Sequence, residues 1–155
     1  MHERPAFAVS ELATPRTRFS ATLLGNGSVL VAGGSNGGQY LSSAELYEPA
    51  TNAFSPTGSM TVARASDSEL VHGIWTTLYT SRLTDGRVLF VGGEAAPGPG
   101  GTAEIYDPTS GKFSAIALPP VDPQPLSPSQ YGIPAVALKD GRVLIPGAPS
   151  LLYTP

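Results

Sequence analysis

The residues that could carry chemistry are few, and most of them stand in one stretch. Asp67, Glu69, His72 and Trp75 all belong to ASDSELVHGIWTT, residues 65–77. Carboxylates and an imidazole can exchange protons with a ligand, and an indole offers an apolar face with one polar N–H. His72 and His2 are the only histidines. The chain has no cysteine, which excludes thiolate nucleophiles, disulfides and cysteine metal sites.

Two sequence patterns that would mark a known type of catalytic or phosphate site are missing. The chain contains no G-x-S-x-G, so nothing indicates a Ser-His-Asp triad around His72. The GPGG at 98–101 lacks the lysine and the following helix of a phosphate loop, and it predicts a flexible loop instead. We therefore predict no catalytic residues, no metal site and no cofactor.

Composition excludes several classes of partner. The net charge is −3, charged residues make up 14%, and the nine Lys and Arg form no run. This pattern argues against a nucleic acid or an anionic membrane as partner. No apolar stretch has transmembrane length, and MHERPAFAVSEL shows no signal peptide. The mature part of an exported protein would look the same, so the compartment stays open.

Three related segments dominate the sequence. GNGSVLVAGG at 25–34 returns as TDGRVLFVGG at 84–93 and as KDGRVLIPGA at 139–148. Asn-Gly or Asp-Gly between apolar runs predicts a β-hairpin with a type I′ turn. A third strand with a tyrosine and a proline follows each copy, and an aromatic residue opens a fourth strand in the first two. These residues are Tyr47 with Phe54, Tyr106 with Phe113, and Tyr153.

The repeats predict an all-β fold of four-stranded antiparallel sheets. Such a sheet has two apolar faces and is not stable alone, but copies packed face to face around an axis form a β-propeller. The alternative is a β-sandwich with coincidental hairpins. It is disfavoured because the order of turn, Gly-Gly, Tyr-x-Pro and aromatic is kept in two full copies.

The segments NGSVLVAGG…SSAELYEPATNAFSPTGSM and DGRVLFVGG…GTAEIYDPTSGKFS resemble kelch repeats, in the bacterial style also found in the propeller of galactose oxidase. Met60 with Arg64 is similar to the Met-x-x-x-Arg that often opens a kelch unit. The third copy departs from the pattern, since Ala148 replaces the second glycine. The copper-radical chemistry of galactose oxidase needs a Tyr–Cys crosslink, so the resemblance implies the fold and not that active site.

We interpret residues 1–155 as a single kelch-type propeller unit. It comprises a closing strand at 6–10, blade 1 at 19–60, blade 2 at 76–118 and an incomplete blade 3 at 133–155. Three blades are too few for a closed ring. Either two chains pair into a six-bladed ring, each lending its 6–10 strand to the other, or the chain is a piece of a longer propeller. The count of twelve strands favours self-association.

Ligands are expected at the channel mouth, where long loops between blades gather. One such loop is 65–77, although Ile74 and Trp75 could instead begin the inner strand and pack in the core. The other is the Pro-rich 118–132, with Tyr131 at its end. The two arginines at equivalent junctions either line the channel or brace the blades through Glu45 and Glu104, and we favour bracing. The candidate ligand-binding residues are Arg16, Arg64, Asp67, Glu69, His72, Trp75 and Tyr131.

The sequence therefore predicts a non-catalytic binding scaffold whose ligand is a protein loop or a glycan. One alternative is a carbohydrate-acting enzyme, a hydrolase or lyase, with Asp67, Glu69 and His72 in its site. Another is a fragment of a larger propeller with no site of its own.

Overall fold

The chain folds into a row of antiparallel β-sheets. A computed structural model describes residues 9–66, 70–71, 74–75, 78–93, 102–118, 135–146 and 150–155. Within these ranges there are fifteen strands and no helix, and so no helix that could cross a membrane. The all-β architecture of kelch-type blades that the repeats predict is confirmed.

Three sheets form the blades, and their strands follow one another in space from the inner to the outer edge. Blade 1 contains β1 (Ser20–Leu23), β2 (Val29–Ala32), β5 (Ala44–Glu48) and β6 (Ala53–Pro56). Blade 2 contains β9 (Leu78–Arg82), β10 (Val88–Gly92), β11 (Ala103–Asp107) and β12 (Lys112–Ile116). Blade 3 contains β13 (Val136–Ala137), β14 (Val143–Ile145) and β15 (Leu151–Tyr153).

Two short strand pairs lie in the connections. In blade 1, β3 (Ser35–Asn36) pairs with β4 (Gln39–Tyr40) between β2 and β5. Between blades 1 and 2, β7 (Leu70–Val71) pairs with β8 (Ile74–Trp75). The predicted closing strand at 6–10 lies mostly outside the described residues, and Val9 and Ser10 carry no strand. That strand stays a prediction.

The tight turns of the hairpins differ from the type I′ turns that the sequence predicts. Positive φ occurs at Gly27, Gly86 and Gly141 but not at the Asn or Asp before them. In the first turn, Gly27 N donates to Leu24 O at 3.2 Å and Leu24 N donates to Ser28 O at 2.9 Å. This is a three-residue loop closed by a left-handed glycine. The Asn26 side chain accepts from Ser28 N at 3.1 Å, which explains why Asn or Asp precedes the glycine.

Each blade has a leading face, toward the preceding blade, and a trailing face, toward the next one. Because alternate residues of a strand point to opposite sides, cross-strand partners share a face. In blade 2, Val88 and Tyr106 are partners on the leading face, while Leu89 and Ile105 are partners on the trailing face. All four are buried. Because both faces of the sheet are covered, the sequences of these strands are continuous apolar runs and do not alternate with polar residues.

The core consists of two layers, each formed by a trailing face against a leading face. In the first layer, Leu30, Ala32 and Ala44 of blade 1 join Val88, Phe90 and Tyr106 of blade 2, with Met60 from the connection. In the second layer, Leu89, Val91 and Ile105 of blade 2 join Val143 and Ile145 of blade 3. Every blade thus depends on a neighbour to cover its apolar faces.

The Gly-Gly pair at the end of β2 allows the connection to the next blade to pass close by. Gly33 has a φ of 68°, and a Cβ there would stand 2.3 Å from the carbonyl oxygen of Arg64. Gly34 N donates to the same oxygen at 2.7 Å. The glycines are therefore a packing requirement between blades, since any side chain would push the connection away.

We expect Gly33→Ala to lower the free energy of unfolding by about 2 kcal/mol or more, because it adds left-handed strain to a backbone clash. Gly25→Ala is the matched control, since its Cβ would meet nothing closer than 3.7 Å. The control should stay within about 0.5 kcal/mol of the wild type. Urea unfolding followed by circular dichroism measures both, and equal stabilities would contradict the close-approach argument.

Candidate functional site

The buried charges of the described residues form two ion pairs at equivalent positions. Arg16 Nη2 lies 2.8 Å from Glu45 Oε1, and Arg64 Nη2 lies 3.0 Å from Glu104 Oε1. The side chains of Arg64 and Glu104 are both 0% exposed. Burial of a lone charge is costly, so each member requires the other.

Every N–H of the Arg64 guanidinium has an acceptor. Nε donates to Glu104 Oε1 at 3.1 Å, and Nη1 donates to Gly92 O at 2.7 Å and Thr102 O at 3.3 Å. Nη2 donates to Thr102 Oγ1 at 2.7 Å and to Glu104 Oε1 at 3.0 Å. The planar fork of arginine suits this arrangement, and lysine could not replace it.

Arg16 makes the equivalent Nη1 and Nη2 bonds one blade earlier, and only the acceptor of its Nε differs. Its Nη1 donates to Gly33 O at 2.9 Å and Ser43 O at 2.8 Å. Its Nη2 donates to Ser43 Oγ at 3.1 Å and Glu45 Oε1 at 2.8 Å, and its Nε donates to Thr14 O at 3.2 Å. The repetition of one network at two junctions indicates a structural unit of the repeat.

The carboxylates also accept from the connecting backbone. Thr61 N donates to Glu104 Oε2 at 2.7 Å, and Ala13 N and Thr14 N donate to Glu45 at 2.8 and 3.1 Å. Burial acts to raise the pKa of Glu45, but these two N–H groups and Arg16 outweigh it. The pKa of Glu45 therefore lies below its ordinary value, and the side chain is a carboxylate at neutral pH.

Arg64 joins blade 1 to blade 2. Its backbone forms hydrogen bonds with blade 1: Arg64 N donates to Leu41 O at 3.0 Å, and Arg64 O accepts from Gly34 N at 2.7 Å. Its side chain binds Gly92, Thr102 and Glu104 in blade 2. We call each Arg–Glu pair with its acceptors a clasp.

The clasp geometry agrees with bracing and not with a ligand site. Both arginine side chains are 0% exposed, and their donors are already occupied. A ligand would have to open these networks to reach either residue. These contacts support the bracing interpretation of Arg16 and Arg64, and ligand binding by either residue stays a prediction.

Residues 135–146 and 150–155, the described part of blade 3, contain no clasp. Leu151 stands opposite Ile145, in the register position that Glu45 holds opposite Val31 and Glu104 holds opposite Phe90. The sequence between Lys112 and Lys139 contains no Arg or Lys. The anion and the cation are thus absent together, as expected if neither is tolerated alone in a buried position.

The sequence interpretation did not include the hydroxyl residues of the clasps. Ser43 and Thr102 each offer a carbonyl and a side-chain oxygen to the arginine. The repeated triplets Ser-Ala-Glu at 43–45 and Thr-Ala-Glu at 102–104 carry this signal, because alternate residues of a strand face the same side. In the third copy the triplet is Pro-Ser-Leu at 149–151.

The predicted loop site lies largely outside the described residues. This holds for Asp67, Glu69, His72 and Tyr131. Trp75 belongs to β8, where its backbone pairs with Leu70. The inner strand β9 begins at Leu78, so the alternative in which Ile74 and Trp75 begin that strand is wrong. These two residues belong to a separate strand pair because the connection is long enough to fold back on itself.

Acidic residues elsewhere on the blades pair locally. Arg87 Nε donates to Asp85 Oδ2 at 2.7 Å, and Arg142 Nε donates to Asp140 Oδ2 at 2.8 Å. These bonds lower the pKa of Asp85 and of Asp140. In the part of the chain that the structure describes, no three His, Asp or Glu side chains form a metal-binding group. Such pairs fix hairpin turns and do not suggest acid–base chemistry.

We expect Glu104→Leu to lower the free energy of unfolding by about 3 kcal/mol, because it leaves Arg64 buried without its anion. Arg64→Met combined with Glu104→Leu imitates blade 3 and should recover at least about 1 kcal/mol of that loss. The control is Arg87→Met, which breaks an exposed pair and should cost under about 1 kcal/mol. Urea unfolding compares these three variants with the wild type, and a double variant no more stable than Glu104→Leu would contradict coupling.

The lowered pKa of Glu45 predicts a pH dependence of stability. A carboxyl whose pKa is lower in the folded state stabilises the fold fully above its unfolded pKa, and this contribution is lost as the pH falls through the folded pKa. Below pH 4.5, the ordinary value, the free energy of unfolding of the wild type should fall more steeply than that of Glu45→Gln. Urea titrations between about pH 7 and pH 3 test this, and parallel curves would exclude it.

The blade geometry agrees with comparisons to known proteins. The kelch motif matches residues 15–61, which contain blade 1 and its clasp. No curated protein matches the chain. One similar solved structure is a fungal alcohol oxidase of the AA5 family in complex with copper, at 15% identity and a TM-score of 0.56. The match covers 84% of this chain and 25% of that chain, so this chain spans about a quarter of the oxidase, and at this identity the likeness shows the fold alone. The resemblance to kelch repeats is confirmed, and the chain is built of kelch-type β-propeller blades.

Proposed function

We propose that the chain is a non-catalytic interaction scaffold of the kelch-propeller type, which binds a protein loop or a glycan at the end where its long loops leave the blades. One observation carries this proposal. Two blades with the same framework are joined by a connection that is longer than the framework needs.

The extra length of the connection follows from comparing equivalent residues of the two blades. Phe19 and Leu78 are equivalent, since each precedes or begins the inner strand beside the second glycine of its blade. Arg16 precedes Phe19 by three residues, and Arg64 precedes Leu78 by fourteen, so eleven residues are added (14 − 3). A framework role explains the clasp but not this insertion, and added loop length on a repeat scaffold commonly serves binding.

Both ends of the insertion are held at the start of the inner strands. Ser66 N donates to Arg18 O at 2.9 Å, just before β1, and Leu78 N donates to Ser66 Oγ at 3.3 Å. Ser66 and Leu78, which flank residues 67–77, therefore lie next to each other. Within them β7 and β8 form an antiparallel pair, which gives the insertion a structure of its own.

The composition of the insertion suits recognition. Trp75 supplies a large apolar surface, and Asp67, Glu69 and His72 supply hydrogen-bonding groups. An aromatic residue beside a few polar groups is typical of sites for sugars and for peptide loops. The Pro-rich 118–132 segment with Tyr131 follows the outer strand of blade 2, and we propose that it contributes to the same surface.

The alternative activity is hydrolysis or elimination on a carbohydrate by Asp67, Glu69 and His72. The spacing of these residues within one insertion supports it, because carboxylates and an imidazole are the groups that such chemistry uses. For replacements of these residues, the scaffold predicts a loss of ligand binding and the enzyme predicts a loss of turnover.

If the chain is a scaffold, Trp75→Ala and His72→Ala should each weaken binding about 10-fold to whichever member of an immobilised glycan panel or a displayed peptide library is captured. Melting temperatures should not change. Lys112→Ala, on the outer strand of blade 2, is the control and should bind as the wild type does. Turnover in a glycoside and ester screen that vanishes in Glu69→Ala or His72→Ala would instead establish the enzyme.

A further inference from the structure

Large exposed hydrophobic side chains are not scattered over the described surface. There are five, and four of them lie on the two ends of the row of blades. Leu23 is 62% exposed and Phe19 is 38% exposed on the leading face of blade 1. Val136 is 44% exposed and Leu152 is 48% exposed on the trailing face of blade 3. Concentration of apolar surface at two sites indicates interfaces.

Three of these four positions are covered inside the row, whereas Arg82, the equivalent of Leu23, is exposed. Leu78, the equivalent of Phe19, is 7% exposed, and Tyr106, the equivalent of Tyr47, is 0% exposed. Ile105, the equivalent of Leu152, is 3% exposed. At both internal junctions a trailing face covers a leading face. The two end faces are therefore one leading and one trailing face, which is the combination that packs in this fold.

We propose that a second copy of this chain covers both ends, so that the trailing face of each blade 3 packs on the leading face of the other chain's blade 1. Repeating the internal step across two copies gives a six-bladed ring with two-fold symmetry. Six blades fall within the usual range for propellers, and a two-fold axis is the commonest closed symmetry. This assembly does not depend on the ligand proposed above.

A groove in blade 3 indicates that the copies also exchange a strand. The groove encloses about 180 Å³ and is lined by Ile116 and Leu118 of blade 2 and by Leu151 and Tyr153 of β15. In blade 2 the corresponding place beside Tyr106 is filled by Phe113 of β12, with ring centroids 4.8 Å apart. Within the described residues nothing pairs with the outer edge of β15. The groove thus fits an aromatic residue from a fourth strand.

The phase of the N-terminal segment identifies the occupant. At the internal junction, Thr57 Oγ1 lies 3.0 Å from Tyr106 OH and Gly58 N donates to Gly111 O at 3.0 Å, three and four residues after Phe54 of the preceding blade.

At the leading face of blade 1, Val9 O accepts from Asn52 Nδ2 at 3.2 Å, and Asn52 is the register equivalent of Gly111. Thr57 also donates to Gly111 O, at 3.4 Å, so Val9 makes the contact that Thr57 makes at the internal junction. The segment that leads to Val9 therefore has the phase of the fourth strand and is the segment that the copies exchange.

Light scattering coupled to size-exclusion chromatography tests the proposal on the full chain. We expect a mass twice the 15.9 kDa of one chain. Phe19→Lys and Leu152→Lys each place a charge in the interface and should weaken dimerisation roughly 100-fold or more. Thr109→Lys, in the exposed turn between β11 and β12, is the control and should leave the dimer unchanged. Circular dichroism verifies that each variant keeps its sheets.

Mixing distinguishes this head-to-tail contact from a contact between identical faces. An equimolar mixture of Phe19→Lys and Leu152→Lys retains one unaltered leading face and one unaltered trailing face, so a dimer should reappear. Deletion of residues 1–8 should weaken dimerisation at least about 10-fold through loss of the exchanged strand. A monomeric wild type would overturn the second copy as occupant in favour of further blades of a longer chain. An unchanged dimer after deletion of residues 1–8 would overturn the strand exchange.

Discussion

The buried Arg–Glu pair is the constraint on which the row of blades depends. Two charges removed from water are tolerated because each donor and acceptor finds a partner, and the partners come from different segments. The backbone of Arg64 contacts Gly34 and Leu41 of blade 1, while its guanidinium contacts Gly92 and Glu104 of blade 2. Apolar faces alone could slide over one another. The clasp gives their packing a fixed register.

Blade 3 shows what the same fold does without this pair. Leu151 takes the place of the glutamate and belongs to the apolar layer with Ile105 and Ile145. Apolar replacement of a buried ion pair is often neutral for stability, so the loss is compatible with a folded blade. It removes the polar contacts between the blade and its connection, however. Apolar packing then becomes the main contribution to the position of blade 3, which increases the importance of a covered trailing face.

Much of the fold could be predicted from the sequence because recurring residues show where each strand begins and ends. The turn glycines, Tyr47 with Phe54 and Tyr106 with Phe113 predicted the strands in the order that the structure shows. The turn type was wrong, because an Asn-Gly pair suits both a type I′ turn and a three-residue loop, and only hydrogen bonding separates them. The acceptors of the clasp at Gly33 and Gly92 were missed, because they are backbone carbonyls and every residue type has one.

The division between repeated and unrepeated positions also separates framework from function. Residues that recur at the same register are engaged with the blades: the Gly-Gly pairs lie against the backbone of the connections, and the buried charged residues lie in clasps. A ligand cannot use them without weakening the fold. Binding surfaces can therefore vary only where the repeat is interrupted, and the longest interruption within the chain's two complete units is the insertion that carries Trp75. Under the proposed function, the same regularity that makes the blades stack restricts recognition to the loops at one end of the stack.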